Sequence, residues 1–518
     1  MNHWIIAPVI LPALLAPILA FVMRHDIVLA RAFSAVGTVA MACIALGLAL
    51  LAADGQTHVY QLGNWPGPFG IVLVLDRLSA LMLLLTSVLA LVVLIYAIGS
   101  GWDRRGRHFH ALFHFQLMGV CGAFLTGDAF NLFVFFEVLL IASYGLMIHG
   151  GGAMRLRAGL QYVVMNLAGS ALFLFALGTI YAVTGTLNIA DLARIAREMP
   201  LEDAALLRVA AMLLMIVFAI KAALFPMQFW LPGAYSEAPA PVAALFAIMT
   251  KVGAYAILRF FTIIFGPDVA STGSMAADWL MPGALITLAI GAVGVLGARG
   301  LSRMLAFSVL ASMGTLMIAI ALFTPQAAAA AMYYMIHSTF AAAVLFLIGD
   351  QITRRRGQVG DALRVAPDIS QSGLLACLFF AAAIAMAGMP PLSGFLGKLL
   401  VLDAARDAPD MVLIWAAILI SSLVLVVGFA RAGSVLFWKP AGLAALQGRP
   451  DRTPDRVPDP DPARWAFAAI FGALFVLAML TVFAGPAMTY LDATAAQLFD
   501  PSGYVSAVLG RGLEGATQ

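Results

Sequence analysis

Five ionisable side chains lie in stretches of the sequence that are otherwise apolar: Glu137, Lys221, Lys251, His337 and Lys398. A lysine at the centre of a membrane helix costs about 2.5–3.5 kcal/mol on insertion scales, and a leucine would pack there without this cost. Ionisable groups retained at such depth indicate a route for protons or ions. These five residues are therefore the candidates for the chemistry of this protein.

Glu137 and Lys221 are expected to form a pair. Glu137 lies in "NLFVFFEVLLIASYGL", with no other charge near it in the sequence, and Lys221 is its natural partner. Burial favours the neutral form of an amine, whereas a nearby carboxylate favours the charged form. Opening and closing such a pair would switch the lysine between holding and releasing a proton.

The other three groups extend the pair into a predicted chain along the membrane plane, linked by water. Lys251 lies midway along "ALFAIMTKVGAYAILRF", His337 lies in "MYYMIHSTFAAAVLF", and Lys398 lies in "AGMPPLSGFLGKLL". Imidazole titrates near neutrality and suits a relay, although a histidine on an apolar helix also serves as a packing residue. Glu237, in "LPGAYSEAPAP", either collects protons or is simply a solvated loop carboxylate.

The composition places these residues in a membrane protein. Of 518 residues, 63% are hydrophobic and only 11% are charged, whereas a soluble domain carries about 25% charged residues. The apolar runs are continuous and about 20 residues long, and only helices or closed barrels span a bilayer. The sequence therefore predicts an all-α polytopic membrane protein.

Motifs for nucleotide or redox chemistry are missing from the sequence. It contains no Walker loop, no G-x-G-x-x-G before a helix and no nucleophile elbow. Cys43, Cys121 and Cys377 form no C-x-x-C pair, which argues against a disulfide framework, a zinc site or an iron–sulfur cluster. We therefore expect a chain that holds no cofactor and no metal and is not itself an enzyme.

Hydrophobicity and flanking charge divide the chain into about 14 spans. They lie at 4–22, 29–52, 71–98, 109–126, 129–148, 159–183, 205–231, 240–264, 279–297, 301–323, 328–350, 373–405, 411–437 and 465–488. The connections alternate in charge: one side receives 18 of the 29 lysines and arginines and the other receives five. By the positive-inside rule the rich side is cytoplasmic, so both termini are expected outside.

Two of the predicted spans are interrupted by proline close to a lysine. Pro226 follows Lys221 in span seven, and Pro390 and Pro391 precede Lys398 in span twelve. The two spans cross the membrane in opposite directions, and such paired interruptions are typical of inverted repeats in transporters. We therefore divide the chain into spans one to three (1–108), a first repeat (109–264), a second repeat (279–437), a cytoplasmic loop (438–464), and a last span with its tail (465–518).

Several other polar residues are weaker candidates. Asp76 and Arg77 are expected to form a local pair, and Arg259 and Arg431 are expected to snorkel or to pair locally. The spacing of the histidines in "RHFHALFH" permits a metal site, but histidines are common at membrane interfaces; they are His108, His110 and His114.

Three stretches resemble signature segments of the antiporter-like membrane subunits shared by respiratory complex I and the multisubunit Na⁺/H⁺ (Mrp-type) antiporters. They are "FNLFVFFEVLLIASYGLMIHGG", "FPMQFWLPGAYSEAPAPVAALFAIMTKVGAYAILRF" and "AMAGMPPLSGFLGKLLVLDA". The resemblance covers nearly the whole chain and is greatest to the D-type subunits of Mrp antiporters. It implies 14 helices, two inverted five-helix repeats, and broken helices seven and twelve.

The resemblance also assigns roles to the buried groups. It implies that Glu137 is the essential glutamate of helix five, that Lys221 and Lys251 are the lysines of helices seven and eight, and that Lys398 is the helix-twelve site. The family often has a lysine shortly after the helix-eleven histidine, but "STFAAA" follows His337. Either His337 acts alone or water bridges the gap.

The implied function is proton translocation within a multisubunit Na⁺/H⁺ or K⁺/H⁺ antiporter of a bacterial plasma membrane. The implied partners are the other membrane subunits of that complex. The alternative is a proton-pumping subunit, of N or M type, in complex I or a membrane hydrogenase. A purely structural membrane scaffold is a third possibility, and the deep lysines argue against it.

Overall fold

The computed structural model describes residues 3–273, 275–439 and 464–510, and this part of the chain is almost entirely helical. Most of the predicted cytoplasmic loop (438–464) and the end of the predicted tail lie outside the described residues, at 440–463 and 511–518.

We number the helices of the described residues in chain order. They are α1 (Ala7–Pro17), α2 (Ile27–Ala52), α3 (Arg77–Ser100), α4 (Phe109–Leu125), α5 (Ala129–Met147), α6 (Ala153–Thr184), α7 (Ile189–Glu198), α8 (Ala205–Lys221), α9 (Trp230–Glu237), α10 (Ala240–Phe246), α11 (Met249–Ile263), α12 (Met275–Gly297), α13 (Leu301–Ala321), α14 (Pro325–Arg355), α15 (Ser372–Ala387), α16 (Ser393–Ala404), α17 (Met411–Gly433), α18 (Arg464–Val482), α19 (Ala484–Phe499) and α20 (Ser502–Leu509).

The predicted fold class is confirmed, because every predicted span contains a helix or a pair of helices. Among the described residues, ten helical stretches are long and apolar enough to cross a membrane, and three shorter ones are also apolar. Spans seven and twelve are each divided into two helices, as expected: α8 with α9, and α15 with α16. The boundaries of the two repeats stay a prediction.

The third span begins later than predicted. The residues assigned to its start form a strand, β2 (Val72–Leu75), which pairs antiparallel with β1 (His58–Gln61). Asp76 then caps α3, because its side chain accepts a hydrogen bond from the backbone N–H of Ser79 at 2.9 Å. The extended backbone of Asp76 and its capping side chain make α3 begin at Arg77, although the residues before it are apolar.

The predicted pair of Asp76 with Arg77 is wrong. Asp76 instead binds the guanidinium of Arg259 through two hydrogen bonds, and each of these side chains is only 3% exposed. Arg77 donates to the backbone carbonyls of Ala53 and Ala493, at 3.0 and 3.3 Å. Bidentate geometry explains the choice, because the planar guanidinium of Arg259 meets both carboxylate oxygens from the neighbouring helix α11.

The carboxylate of Asp350 fixes the C-terminal end of α14, the helix that also carries His337. Asp350, near the end of α14, accepts hydrogen bonds through Oδ2 from the Tyr96 hydroxyl at 2.6 Å and from the Trp102 indole at 3.1 Å. Arg354 lies 2.8 Å from the same oxygen. These contacts hold the end of α3 against α14.

Replacing Asp76 tests the buried pair. In Asp76→Asn the Arg259 guanidinium stays buried without a counterion, and breaking such a pair costs about 3–5 kcal/mol. We expect a marked fall in the midpoint of thermal unfolding of the detergent-purified protein, followed by tryptophan fluorescence. Asp54→Asn is the control, because Asp54 is 44% exposed and lies 3.7 Å from His58; such surface pairs contribute about 0–1 kcal/mol. Equal midpoints for the two variants would contradict the interpretation.

Candidate functional site

The first interruption, residues 222–229, separates α8 from α9 and starts directly after Lys221. Side chains satisfy the backbone groups that it frees. The indole of Trp230 donates to the carbonyl of Ile220 at 3.1 Å, and the backbone N–H of Phe225 donates to Oγ1 of Thr287 at 2.8 Å. The break is therefore a hydrogen-bonded structure rather than a frayed helix.

Glu137 and Lys221 are connected through side chains of α6. Ser170 donates a hydrogen bond to Oε1 of Glu137. Lys221 Nζ donates to Oδ1 of Asn166 at 3.3 Å and to the carbonyl of the same residue at 3.2 Å. Asn166 and Ser170 are four residues apart and so share one face of α6.

The expected direct pair between Glu137 and Lys221 is not formed. Their side chains are not within the 4.0 Å that defines an ion pair, and the described contacts of each group run to α6. Gly169 lies beside this arrangement, and a Cβ at that position would be in ordinary contact with Lys221 Nζ, at 3.5 Å. The acid and the lysine are thus separated by two neutral polar groups in a buried row.

The second interruption, residues 388–392, separates α15 from α16. The Lys398 ammonium donates to the carbonyl of Ala387, the last residue of α15, at 2.8 Å. It also donates to Oγ of Ser422 on α17 at 2.7 Å. Lys398 is only 6% exposed, and the C-terminal end of a helix is a favourable place for a cation, because the unpaired carbonyls there carry partial negative charge.

Gly388 shapes the space that Lys398 occupies. Its φ of +79° is in the left-handed region, and a Cβ there would lie 2.6 Å from Cδ and 3.0 Å from Cε of Lys398. Glycine is thus required both by the backbone conformation and by the close approach of the lysine.

His337 faces the second interruption. Its Nδ1 lies 2.9 Å from Oγ of Ser393, the first residue of α16. A Cβ at Gly394 would lie 2.8 Å from Nε2, so the imidazole packs directly on the backbone of α16. The ring interacts electrostatically with both Lys398 and Lys251.

Lys251 has no hydrogen-bond partner among the described residues, although it is fully buried. Two neighbouring polar atoms share this property: Oγ1 of Thr250 and Oε1 of Gln116, which faces α11 from α4. Gly253, two residues further along α11, packs against the end of α8, since a Cβ there would lie 3.0 Å from the carbonyl carbon of Lys221. Most buried polar groups have hydrogen-bond partners, so the ammonium of Lys251 is an exception among the described residues.

Four polar residues of the site were missed by the sequence analysis: Asn166, Ser170, Ser393 and Ser422. Each lies in an apolar span. The four-residue spacing of Asn166 and Ser170 is the one signal that the sequence offers, because it puts both on one helix face. Nothing in the sequence indicates which face would meet Glu137.

The three histidines of "RHFHALFH" do not form a metal site, and the described residues contain no group of three potential ligands. His110 lies 3.3 Å from Oδ2 of Asp103, and His114 lies 3.1 Å from Oγ of Ser34. Burial raises the pKa of Asp103, but hydrogen bonds from Arg31 and His110 outweigh this effect and leave the pKa below its ordinary value. Asp103 therefore stays ionised and anchors Arg31.

The comparisons with known proteins agree with this architecture. Residues 126–425 match the family model described as "NADH:quinone oxidoreductase/Mrp antiporter, TM". The probable K⁺/H⁺ antiporter D-type subunit of Rhizobium meliloti (strain 1021) is 38% identical, over 98% of each chain. The Na⁺/H⁺ antiporter D-type subunit of Bacillus subtilis (strain 168) is 37% identical, over 98% of this chain and all (100%) of that one.

A solved structure extends the likeness to the fold. A chain in the Mrp complex from Dietzia sp. DQ12-45-1b superposes with a TM-score of 0.87 and 29% identity, over 98% of this chain and 100% of that chain. Interrupted helices with buried charges define the class as a membrane transporter. The chain belongs to the family of membrane subunits shared by NADH:quinone oxidoreductase and the Mrp antiporters.

Gly388→Ala tests the second interruption. The added methyl group would displace the Lys398 side chain, in addition to the cost of about 1–2 kcal/mol for a left-handed residue with a Cβ. We expect most cation–proton exchange to be lost in membrane vesicles that contain the assembled complex. Gly185→Ala is the matched control, because Gly185 also ends a helix with φ +72° but has nothing within 4 Å of the position of a Cβ. Equal exchange in the two variants would show that the contact with Lys398 is unimportant.

Proposed function

We propose that this chain is the proton-translocating membrane subunit of a multisubunit monovalent cation/H⁺ antiporter. The curated relatives are named as D-type antiporter subunits, for K⁺ in one case and for Na⁺ in the other. In this proposal Glu137 and Lys221 form the switch, Lys251 and His337 relay the proton, and Lys398 is the terminal site.

The observation that carries the proposal is the row of Glu137, Ser170, Asn166 and Lys221. A permanent ion pair would hold the lysine proton, because a close carboxylate stabilises the ammonium. Two neutral groups between the charges weaken this hold while leaving a hydrogen-bonded connection. Small movements of α6 would then favour or disfavour the protonated lysine.

The middle of the route requires water. Lys251 Nζ and His337 Nε2 have no hydrogen-bond partner among the described residues. Buried waters with two to four polar partners are common in protein interiors. Here such a water would take the place of the lysine that the family often has shortly after the helix-eleven histidine. This supports a relay from the first interruption to the second.

A proton-pumping subunit of a redox complex is the second candidate. The family description itself includes NADH:quinone oxidoreductase, and the same buried groups would serve either assembly. Purification with the neighbouring subunits distinguishes the two, since flavin and iron–sulfur subunits would identify a redox complex. The names of the curated relatives favour the antiporter.

The proposal places the chain in a bacterial plasma membrane, with other membrane subunits as partners. The arginine-rich connections are then cytoplasmic and both termini face outward. Contacts between these connections support a shared side, because Arg31 binds Asp103 at 2.6 Å and Arg354 donates to the carbonyl of Ser100 at 2.7 Å.

Removing either charge of the switch should abolish exchange. In Lys221→Met the proton carrier is missing, and in Glu137→Gln the charge that stabilises the ammonium is missing. We expect cation-driven proton movement in vesicles to fall to the background of vesicles without the complex, while the complex still assembles. Fluorescence quenching of a pH-sensitive dye measures the movement.

Matched controls for these variants are Lys439→Met and Glu198→Gln. Lys439 is exposed, and Glu198 is an exposed partner of Arg194 on α7. Both controls should retain exchange. Wild-type exchange in Lys221→Met would refute the proposed role of the lysine.

Ser170→Ala tests the connection itself. The substitution removes the hydroxyl that binds Glu137 and keeps the rest of the site. We expect a reduced maximal rate of exchange, about tenfold or more, because general proton-transfer groups contribute about 10²–10⁴-fold. Ser143→Ala is the control, since Ser143 is equally buried and pairs with Tyr162 at 2.9 Å, away from Glu137. A rate unchanged in Ser170→Ala would remove the serine from the route.

A further inference from the structure

Arg77 is a cation that has no acidic partner among the described residues. Asp76, its neighbour in the sequence, is fully engaged with Arg259. The Arg77 guanidinium is held by two backbone carbonyls, its Nε has no partner, and none of the described carboxylates lies within 4.0 Å of it. Its positive charge is therefore positioned but not neutralised.

This guanidinium lines a cavity of about 590 Å³ at the ends of α2, α3 and α19. The polar side chains around it are Gln56, Thr57, Arg77, Gln497, Asp500 and Ser502. The volume is within the range of about 300–1,000 Å³ that is typical of small-molecule sites. Gly55 leaves space for the arginine, because a Cβ there would lie 3.1 Å from Nη2.

The cavity contains one charge of each sign, and the two do not pair with each other. Asp500 accepts hydrogen bonds from the N–H and the hydroxyl of Ser502, at 3.2 and 2.5 Å, and both fall on Oδ1. Its other oxygen, Oδ2, stays available to a ligand. A cation and an anion that are held apart in this way match a ligand that carries a phosphate and an ammonium group.

The surroundings favour a lipid as the source of this ligand. The cavity lies at the ends of α2 and α3 that are opposite the arginine-rich connections. Leu46 and Leu50, one turn apart on the part of α2 that leads to the cavity, are 51% and 71% exposed. Exposed leucines on a membrane helix contact acyl chains, so a headgroup at the helix end and its tails along α2 would be contiguous.

We propose that this cavity binds the headgroup of a zwitterionic phospholipid, with the phosphate at Arg77 and the ammonium at Asp500. The site is separate from Glu137, Lys221, Lys251, His337 and Lys398, none of which lines the cavity. A bound headgroup would connect the turn after α2 to the segment formed by α19 and α20. The same segment covers the Asp76–Arg259 pair, since the ring centroid of Tyr504 on α20 lies 5.6 Å from Cζ of Arg259.

Native mass spectrometry of the purified complex tests the proposal, with phosphatidylethanolamine and phosphatidylglycerol added separately. The wild-type complex should retain phosphatidylethanolamine, and Arg77→Gln should retain at least tenfold less. Gly503→Phe should reduce retention as much, because the phenyl ring would fill the cavity. No atom lies within 4 Å of the position that a Cβ of residue 503 would take, so the substitution breaks no existing contact. Asp500→Asn should lose the preference for phosphatidylethanolamine over phosphatidylglycerol.

The controls are matched in chemistry. Arg208→Gln removes an arginine that also binds a backbone carbonyl, that of Ser271 at 2.6 Å, but does not line the cavity. Gly485→Phe adds the same bulk at another open glycine, on α19. Both should retain the lipid as the wild type does.

Three results would overturn the proposal. The first is equal lipid retention in Arg77→Gln, Gly503→Phe and the wild type. The second is equal displacement by soluble glycerophosphoethanolamine at the same concentration, which would assign the site to a free solute. The third is release of a neighbouring subunit from Arg77→Gln without loss of lipid, which would identify an acidic side chain as the occupant.

Discussion

A buried ammonium group needs oxygen acceptors, and an intact membrane helix offers few, because its carbonyls already accept bonds from its own amides. The second interruption resolves this conflict. By ending α15 at Ala387, it releases a carbonyl that accepts from Lys398 at 2.8 Å. The position of the lysine depends on that freed backbone group, and Gly388 leaves the space through which the side chain reaches it.

The first interruption meets the same need differently. Its freed carbonyl and amide are taken by Trp230 and Thr287, and Lys221 turns instead to Asn166 on α6. Each lysine is therefore held by one backbone carbonyl and one side-chain oxygen. The carbonyl that Lys398 uses is freed by the interruption itself, whereas both acceptors of Lys221 belong to Asn166 on α6.

Buried polar contacts join the two ends of α3 to neighbouring helices, whereas polar groups in the middle of the membrane-spanning region lack such partners among the described residues. Asp76 with Arg259 joins α3 to α11, and Asp350 with Tyr96 and Trp102 joins α3 to α14. Between them lie Lys251 and His337, each with an unpartnered nitrogen among the described residues. Rigid ends and an under-satisfied interior fit the proposed relay, because the fold does not depend on the groups assigned to it.

The sequence alone determined the fold class, the spans and both interruptions, because hydrophobic length and proline act locally along the chain. It also marked Glu137, Lys221, Lys251, His337 and Lys398 as candidates, since an ionisable residue in an apolar run is visible without coordinates, and their roles stay a prediction. Only the tertiary structure decided that α6 separates Glu137 from Lys221, that Arg259 and not Arg77 binds Asp76, and that Val72–Leu75 is a strand. The physical reason is that such contacts depend on which helix faces meet, and this is set by packing among residues that are far apart in the chain.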